Sequence, residues 1–287
     1  ILQTVQRLDP KKIHIIYGNG NNSIPDALKN YSINWCHQTE QLGTAHALEQ
    51  ALPNIPDADR VLVLVGDAPI IRPETLQQLL DLTPPNQVGL ITTFPNDPTG
   101  MGRIIRAADS DLLRIVEEKD ATEAEKQIHE INTGVIVGSA AQFKHLIPQL
   151  NNANSQGEYY LTDVINVAKK EGQTIYSTVA SEPEEMMGVN DRVQLAYLER
   201  YYQRKIAEQF MRQSVSFADP ARFDLRGTLR AGEDVTIDVD VILEGNVVIG
   251  DNCKIGPFTY LKNVTIGNNV EIRSHSVIED SAIDDHC

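Results

Sequence analysis

Cysteine, tryptophan, cationic charge and long apolar runs are all scarce in this chain. Its three cysteines, Cys36, Cys253 and Cys287, show no paired spacing. That pattern argues against a disulfide framework and suits a reducing compartment. The single tryptophan, Trp35, reads most simply as a core residue. Lys plus Arg number 25 against 40 Asp plus Glu, a net charge of −15. An anionic scaffold does not bind nucleic acid by bulk charge, because phosphate backbones require local cations. Phosphate ligands would have to be held by backbone N–H groups, a few fixed cations or a divalent metal. No apolar run approaches the length of a membrane span and no signal-peptide pattern opens the chain.

What is present is periodic. Ile237, Leu243, Ile249, Ile255, Leu261, Ile266 and Ile272 recur at intervals of six, broken by one five-residue step. A second row, Val235, Val241, Val247, Cys253, Val264 and Val270, runs two residues ahead of it. Neither a helix nor a flat strand has that period, whereas the flat faces of a parallel β-helix do. Glycine follows the anchor at Gly250, Gly256 and Gly267, where a tight corner would favour a residue tolerant of positive φ.

The first two thirds alternate strand-like and helix-like segments, the pattern of a doubly wound, Rossmann-like α/β sheet. Val61 to Val65 is apolar at every position, as expected of a central parallel strand covered on both faces. Strands are also expected at Ile13 to Tyr17, Ile33 to His37, Val88 to Thr93, Val135 to Val137 and Thr174 to Val179. Helices are expected at Leu2 to Leu8, Thr44 to Leu52, Pro73 to Leu82, Ala141 to Leu150 and Leu161 to Glu171. Between Asp191 and Gln213 there is no Gly or Pro, and Leu195, Leu198, Tyr202, Ile206 and Phe210 form an apolar seam. This segment reads as a long linker helix. The expected domains are 1–190, a linker at 191–213, and the start of the β-helix at 214–287. Both ends read as cut, inside a helix at Ile1 and inside the repeat at Cys287.

Several loops leave strands in positions suited to chemistry. Asp67 follows Val65 and Gly66 and is either a turn residue before a helix or a hard ligand for Mg²⁺. Gly43 and Thr44 would offer N–H groups and a hydroxyl to an anion or base edge, or Thr44 would simply cap its helix. Tyr17 to Asn21 lacks the third glycine of a dinucleotide loop and reads as a plain turn. Thr99 to Arg103 and Ile131 to Gly134 each bring backbone near a ligand or form ordinary loops and bends. Glu117 to Asp120 alone reads as a solvated charged face. The seven histidines show no metal spacing and no triad partner.

Together these segments resemble one family, the bacterial bifunctional N-acetylglucosamine-1-phosphate uridylyltransferase / glucosamine-1-phosphate acetyltransferases. The resemblance rests on Gln38 to Thr44, Gly66 to Pro69, Asp97 to Arg103, Ile115 to Ala121, Glu130 to Gly134, Gln156 to Asp163, Gly188 to Asn190 and Asp219 to Gly227, in order. It implies a nucleotidyltransferase domain followed by a left-handed hexapeptide β-helix. It also implies transfer of UMP from UTP to N-acetylglucosamine 1-phosphate, giving UDP-N-acetylglucosamine and pyrophosphate. Gln38, Gly43, Thr44, Val65, Gly66 and Asp67 then match nucleotide-binding positions. Gly102, Glu117, Asn132 and Asn190 match sugar-binding positions, and Asp67 with Asn190 matches the Mg²⁺ pair. The family is cytoplasmic and homotrimeric, and its members also acetylate glucosamine 1-phosphate with acetyl-CoA at later rungs. No acetyl-transfer residue of that kind falls in this sequence, and the family's glycine-rich N-terminal loop is not found in it. Low activity of either kind is therefore expected. Val65 stands where some relatives carry tyrosine. Competing readings are a glucose- or mannose-phosphate nucleotidyltransferase and a non-catalytic scaffold subunit.

Overall fold

The structure is a computed structural model that describes residues 1–18 and 23–287. The turn expected at Tyr17 to Asn21 therefore lies mostly outside the described residues. The chain divides into two compact units, Ile1–Val189 and Asn190–Cys287.

The first unit runs α1 (Leu2–Gln6), β1 (His14–Tyr17), α2 (Ser23–Ala27), β2 (Asn34–His37), α3 (Thr44–Ala51), β3 (Arg60–Val63), α4 (Pro73–Leu82), β4 (Val88–Thr93), β5 (Arg103–Arg106), β6 (Leu112–Val116), α5 (Glu123–Lys126), β7 (Ile131–Ser139), α6 (Ala140–Leu146), α7 (Asp163–Lys170) and β8 (Ile175–Val179). Strands β1 and β2 pair in parallel. There Trp35 is half-buried, edge-on to Tyr17, rather than a core residue.

The main sheet is mixed. Strand β4 lies between β7, antiparallel, and β8, parallel. Val61 to Val65 departs from the expectation of a central parallel strand. As β3 it pairs antiparallel with β7 and is only half-buried. The strand buried at every position is β4, because it has hydrogen-bonded neighbours on both sides. An apolar run alone does not reveal strand direction. Two-sided covering does hold for β3: Val61 and Val63 meet one core, Leu62 and Leu64 the other. Phe143, Leu146, Val164 and Ile165 fill the first core, from α6 and α7; Leu76 and Leu79 of α4 fill the second. This is the three-layer α/β arrangement that alternating elements imply.

The second unit begins with α8 (Arg192–Met211), whose first turn Asp191 caps by accepting from Gln194 N–H. The expected seam is only partly the buried one. Leu198 is buried and Ile206 and Phe210 pack on the solenoid core, but Leu195 and Tyr202 are about half exposed. Gln203 and Ala207 take their place. The Gln203 amide pairs with both backbone groups of Leu225, at 2.8 and 2.9 Å, so a polar residue occupies a position that an apolar count passes over.

Strands β9 (Val215–Phe217), β10 (Phe223–Ala231), β11 (Val235–Ile237) and β12 (Val241–Ile249) start a stack of parallel strands that continues to Ala282–Ile283. Ile237 pairs with Ile255 and Leu243 with Leu261, eighteen residues on, which is three six-residue faces per coil. Coils that cross the five-residue step pair at seventeen, as Ile249 with Ile266. All thirteen residues of the two rows are buried. This is the left-handed parallel β-helix that the period implies.

The glycines serve a different purpose from the expected one. Gly250, Gly256 and Gly267 are not in the left-handed region; instead a Cβ on Gly250 would lie 2.6 Å from the Gly267 carbonyl of the next coil. The left-handed corners are taken by Asp234, Asp240, Asn252, Asn263, Asn269 and Asp280, with Phe258, His275 and His286. Asn and Asp tolerate that region because their short polar side chains bond locally.

Candidate functional site

The candidate site lies in the first unit, and one segment organises it. Tyr159 N–H donates to the Leu42 carbonyl at 2.8 Å, and Ala45 N–H donates to the Tyr159 carbonyl at 2.9 Å. Between them Gly43 adopts φ +116°, and a Cβ there would sit 2.5 Å from the Tyr159 carbonyl oxygen. Thr44 is the first residue of α3, not its cap. Its hydroxyl accepts from Leu161 N–H at 2.9 Å. Gln38 is buried, with Nε2 3.1 Å from the Gly43 carbonyl and 3.0 Å from His46 Nδ1.

The same segment reaches Glu117. Thr162 Oγ1 donates to Glu117 Oε1 at 3.1 Å. Lys119 and Gln156 meet at 3.1 Å, and Ser155 N–H donates to Asp120. Glu117 is thus not part of a solvated face. A Cβ on Gly102 would stand 3.1 Å from its Oε2, and the Gly102 carbonyl accepts from Asn132 N–H at 2.9 Å. The three residues Gly102, Glu117 and Asn132 therefore meet at one place. Asn132 Oδ1 is buried there with no hydrogen-bond partner among the described residues. A buried acceptor left unpaired costs free energy, which a donor would recover once a rotation of the Asn132 side chain uncovered the oxygen.

A bulge aims Asn132. Leu90 pairs with Ile136 and Thr92 with Asn132, so a two-residue step on β4 faces a four-residue step on β7. Gly134 takes up the excess at φ +78°, where a Cβ would meet Val65 Cγ1 at 2.7 Å. Bulges of this kind re-aim side chains beside sites.

Past Val65, Gly66 is exposed, with open space where its side chain would be. Asp67 is exposed, and its carboxylate has no protein hydrogen-bond partner among the described residues. Its carbonyl accepts from Val189 N–H at 2.9 Å, and a Cβ on Gly188 would lie 2.7 Å from its Oδ2. The buried Glu185 anchors this returning segment through Arg72, Thr75 Oγ1 at 2.6 Å and Ser181 Oγ at 3.3 Å. Asn190 opens the second unit. No cluster of three or more His, Cys, Asp or Glu suited to a metal occurs among the described residues. An open hard carboxylate facing a glycine cradle does fit one ligand of a hydrated Mg²⁺, which keeps most of its waters.

Sequence reasoning missed Tyr159, Thr162, Gly188 and Arg103 as working parts. Arg103 is fully buried, with its guanidinium on Glu118 at 2.7 Å and on the Met101 and Lys126 carbonyls. It ties the Gly102 loop to the residue beside Glu117. Its signal was a buried cation inside a strand, which hydropathy reads as surface.

Burial raises the Glu117 carboxyl above its usual range; the Thr162 bond opposes this in part, while Asp163 and Asp120 add to it. Asp163 is raised for the same first reason, burial. A raised value means that the native state holds the proton more tightly than the unfolded chain. Below the ordinary glutamate range both states are protonated and nothing is gained or lost. Above the native value both are ionised and the fold carries the cost. Glu117→Gln is therefore expected to raise the melting temperature at about pH 7 and leave it unchanged near pH 3, as calorimetry at the two pH values would read. An equal shift at both would contradict the burial cost.

Residues 1–133 match the MobA-like NTP transferase domain family, and residues 232–263 match the bacterial transferase hexapeptide repeat. The fold is that of a Rossmann-like nucleotidyltransferase domain followed by hexapeptide repeats. A solved structure provisionally described as a glucose-1-phosphate thymidylyltransferase from Bacillus anthracis, in complex with sucrose, is similar at 20% identity. The match covers 69% of this chain and 78% of that one, with a TM-score of 0.53. At that identity the likeness is one of fold. No helix among the described residues is long and apolar enough to cross a membrane.

Proposed function

We propose that the first unit transfers UMP from UTP to N-acetylglucosamine 1-phosphate, giving UDP-N-acetylglucosamine and pyrophosphate. A sugar phosphate oxygen attacks the α-phosphorus, and the bond to the bridging oxygen breaks as pyrophosphate leaves. The observation that carries this reading is the meeting of Gly102, Glu117 and the unpaired Asn132 Oδ1. Glu117 accepts from a sugar hydroxyl, and Asn132 Oδ1 takes a donor such as an acetamido N–H. Gly102 keeps that wall low enough for a sugar ring. Gln38, Gly43 and Thr44 hold the base, while Val65 and the open Gly66 leave room for the phosphates. Asp67 would hold Mg²⁺, which would offset triphosphate charge in a chain of net charge −15.

By the same resemblance the protein acts in the cytoplasm as a homotrimer and is of a bifunctional type that also acetylates glucosamine 1-phosphate with acetyl-CoA. Competition binding tests the substrate. UDP-N-acetylglucosamine is expected to displace a fluorescent uridine nucleotide at least about tenfold more effectively than UDP-glucose or dTDP-glucose, because rejecting a ligand that leaves Asn132 unpaired costs over 1 kcal/mol. Preference for dTDP-glucose would replace this assignment with a glucose-phosphate thymidylyltransferase.

A further inference from the structure

We propose that His46 is a positioning residue that turns Gln38 into a pure acceptor, so that the nucleotide site takes bases with an imide N–H and rejects cytosine. The inference rests on the reading that Gln38 faces the base. Gln38 Nε2 stands 3.1 Å from the Gly43 carbonyl oxygen. A carbonyl oxygen only accepts, so the nitrogen end of the amide must be the one that faces it. The second hydrogen of the same NH₂ points at His46 Nδ1, 3.0 Å away. That ring nitrogen must then carry a lone pair, which places the imidazole proton on Nε2.

Both Gln38 donors are consumed inside the protein, and Oε1 is the polar atom left. Uracil and thymine present an N3–H, which Oε1 accepts. Cytosine presents a bare N3 lone pair, which meets Oε1 with repulsion. Specificity of this kind comes from a site that leaves the wrong ligand unpaired. The Gly43 carbonyl alone does not secure it. Without an acceptor at position 46 the second Gln38 hydrogen is released, and a small rotation would let it donate to the cytosine N3. The helix that carries His46 is held in place two residues earlier, where the Thr44 hydroxyl accepts from Leu161 N–H. His46 therefore acts through Gln38 and need not touch the ligand.

The test measures UTP and CTP affinities by titration calorimetry on wild type, His46→Leu and His46→Asn. Wild type is expected to prefer UTP. His46→Leu keeps bulk but no acceptor, and the UTP/CTP ratio is expected to fall at least about tenfold, mainly through tighter CTP binding. His46→Asn places Oδ1 close to the Nδ1 position and is expected to restore the ratio. In wild type, ¹⁵N shifts should report an unprotonated Nδ1. A His46→Leu protein with the wild-type ratio overturns the proposal. So does a His46→Asn protein that loses as much as His46→Leu, since the role would then be packing. If wild type shows no UTP preference and Gln38→Ala changes neither affinity, the base assignment itself fails and this inference goes with it.

Discussion

Asp67→Ala is expected to lower Mg²⁺-dependent turnover of UTP at least about a hundredfold. The folded state should barely register the change, within roughly 0.5 kcal/mol, because Asp67 is exposed and only its backbone carbonyl is tied to the protein, at Val189. The electrostatic sign supplies a second readout. In the absence of metal, Asp67 repels a triphosphate, so the alanine variant should bind UTP more tightly than wild type in chelator. With Mg²⁺ present the order should reverse, because the ion loses its carboxylate. Crossing affinities separate a metal ligand from a turn residue, and metal binding can be followed independently of turnover by Mn²⁺ relaxation. Unchanged turnover, with no crossing, would return the chain to the scaffold reading.

Gly43→Ala is expected to cost about 2–4 kcal/mol in the first unit's unfolding transition and to abolish nucleotide binding. The added Cβ would lie 2.5 Å from Tyr159 O and 2.7 Å from Tyr159 N. Both are backbone atoms and neither can rotate away. Relief would require breaking the bonds from Tyr159 to Leu42 and from Ala45 to Tyr159, which join the Gln38–Thr44 loop to the segment carrying Thr162. Gly100→Ala is the control, since Gly100 also has positive φ but nothing within 4 Å of its Cβ position. Only the left-handed penalty of about 1–2 kcal/mol should appear there. Equal losses in urea titrations of the two variants would mean that the Tyr159 contact does not hold the site together.

Much of the architecture was legible because it is periodic. Helix α4 and strand β4 fall where the pattern places them, and both rows of the solenoid are buried as their spacing requires. Other features were not legible for identifiable reasons. Strands β5 and β6 carry Arg103, Arg106 and Arg114, and their charges hide a strand from hydropathy. Arg106 is neutralised by Glu130 through two bonds of 2.6 and 2.7 Å, a partner twenty-four residues away. The solenoid glycines were correctly seen as constrained but for the wrong cause, since a contact seventeen or eighteen residues on leaves no mark in a local reading.

Sequence alone determined the three-layer first unit, the six-residue rungs and the short segments able to carry chemistry, because each depends on side-chain type at a local period. Tertiary structure decided strand direction, the burial of Glu117, the unpaired Asn132 oxygen and the commitment of both Gln38 donors. Those depend on which distant backbone groups arrive beside a residue, and hydrogen bonds formed at such range are set by packing rather than by spacing.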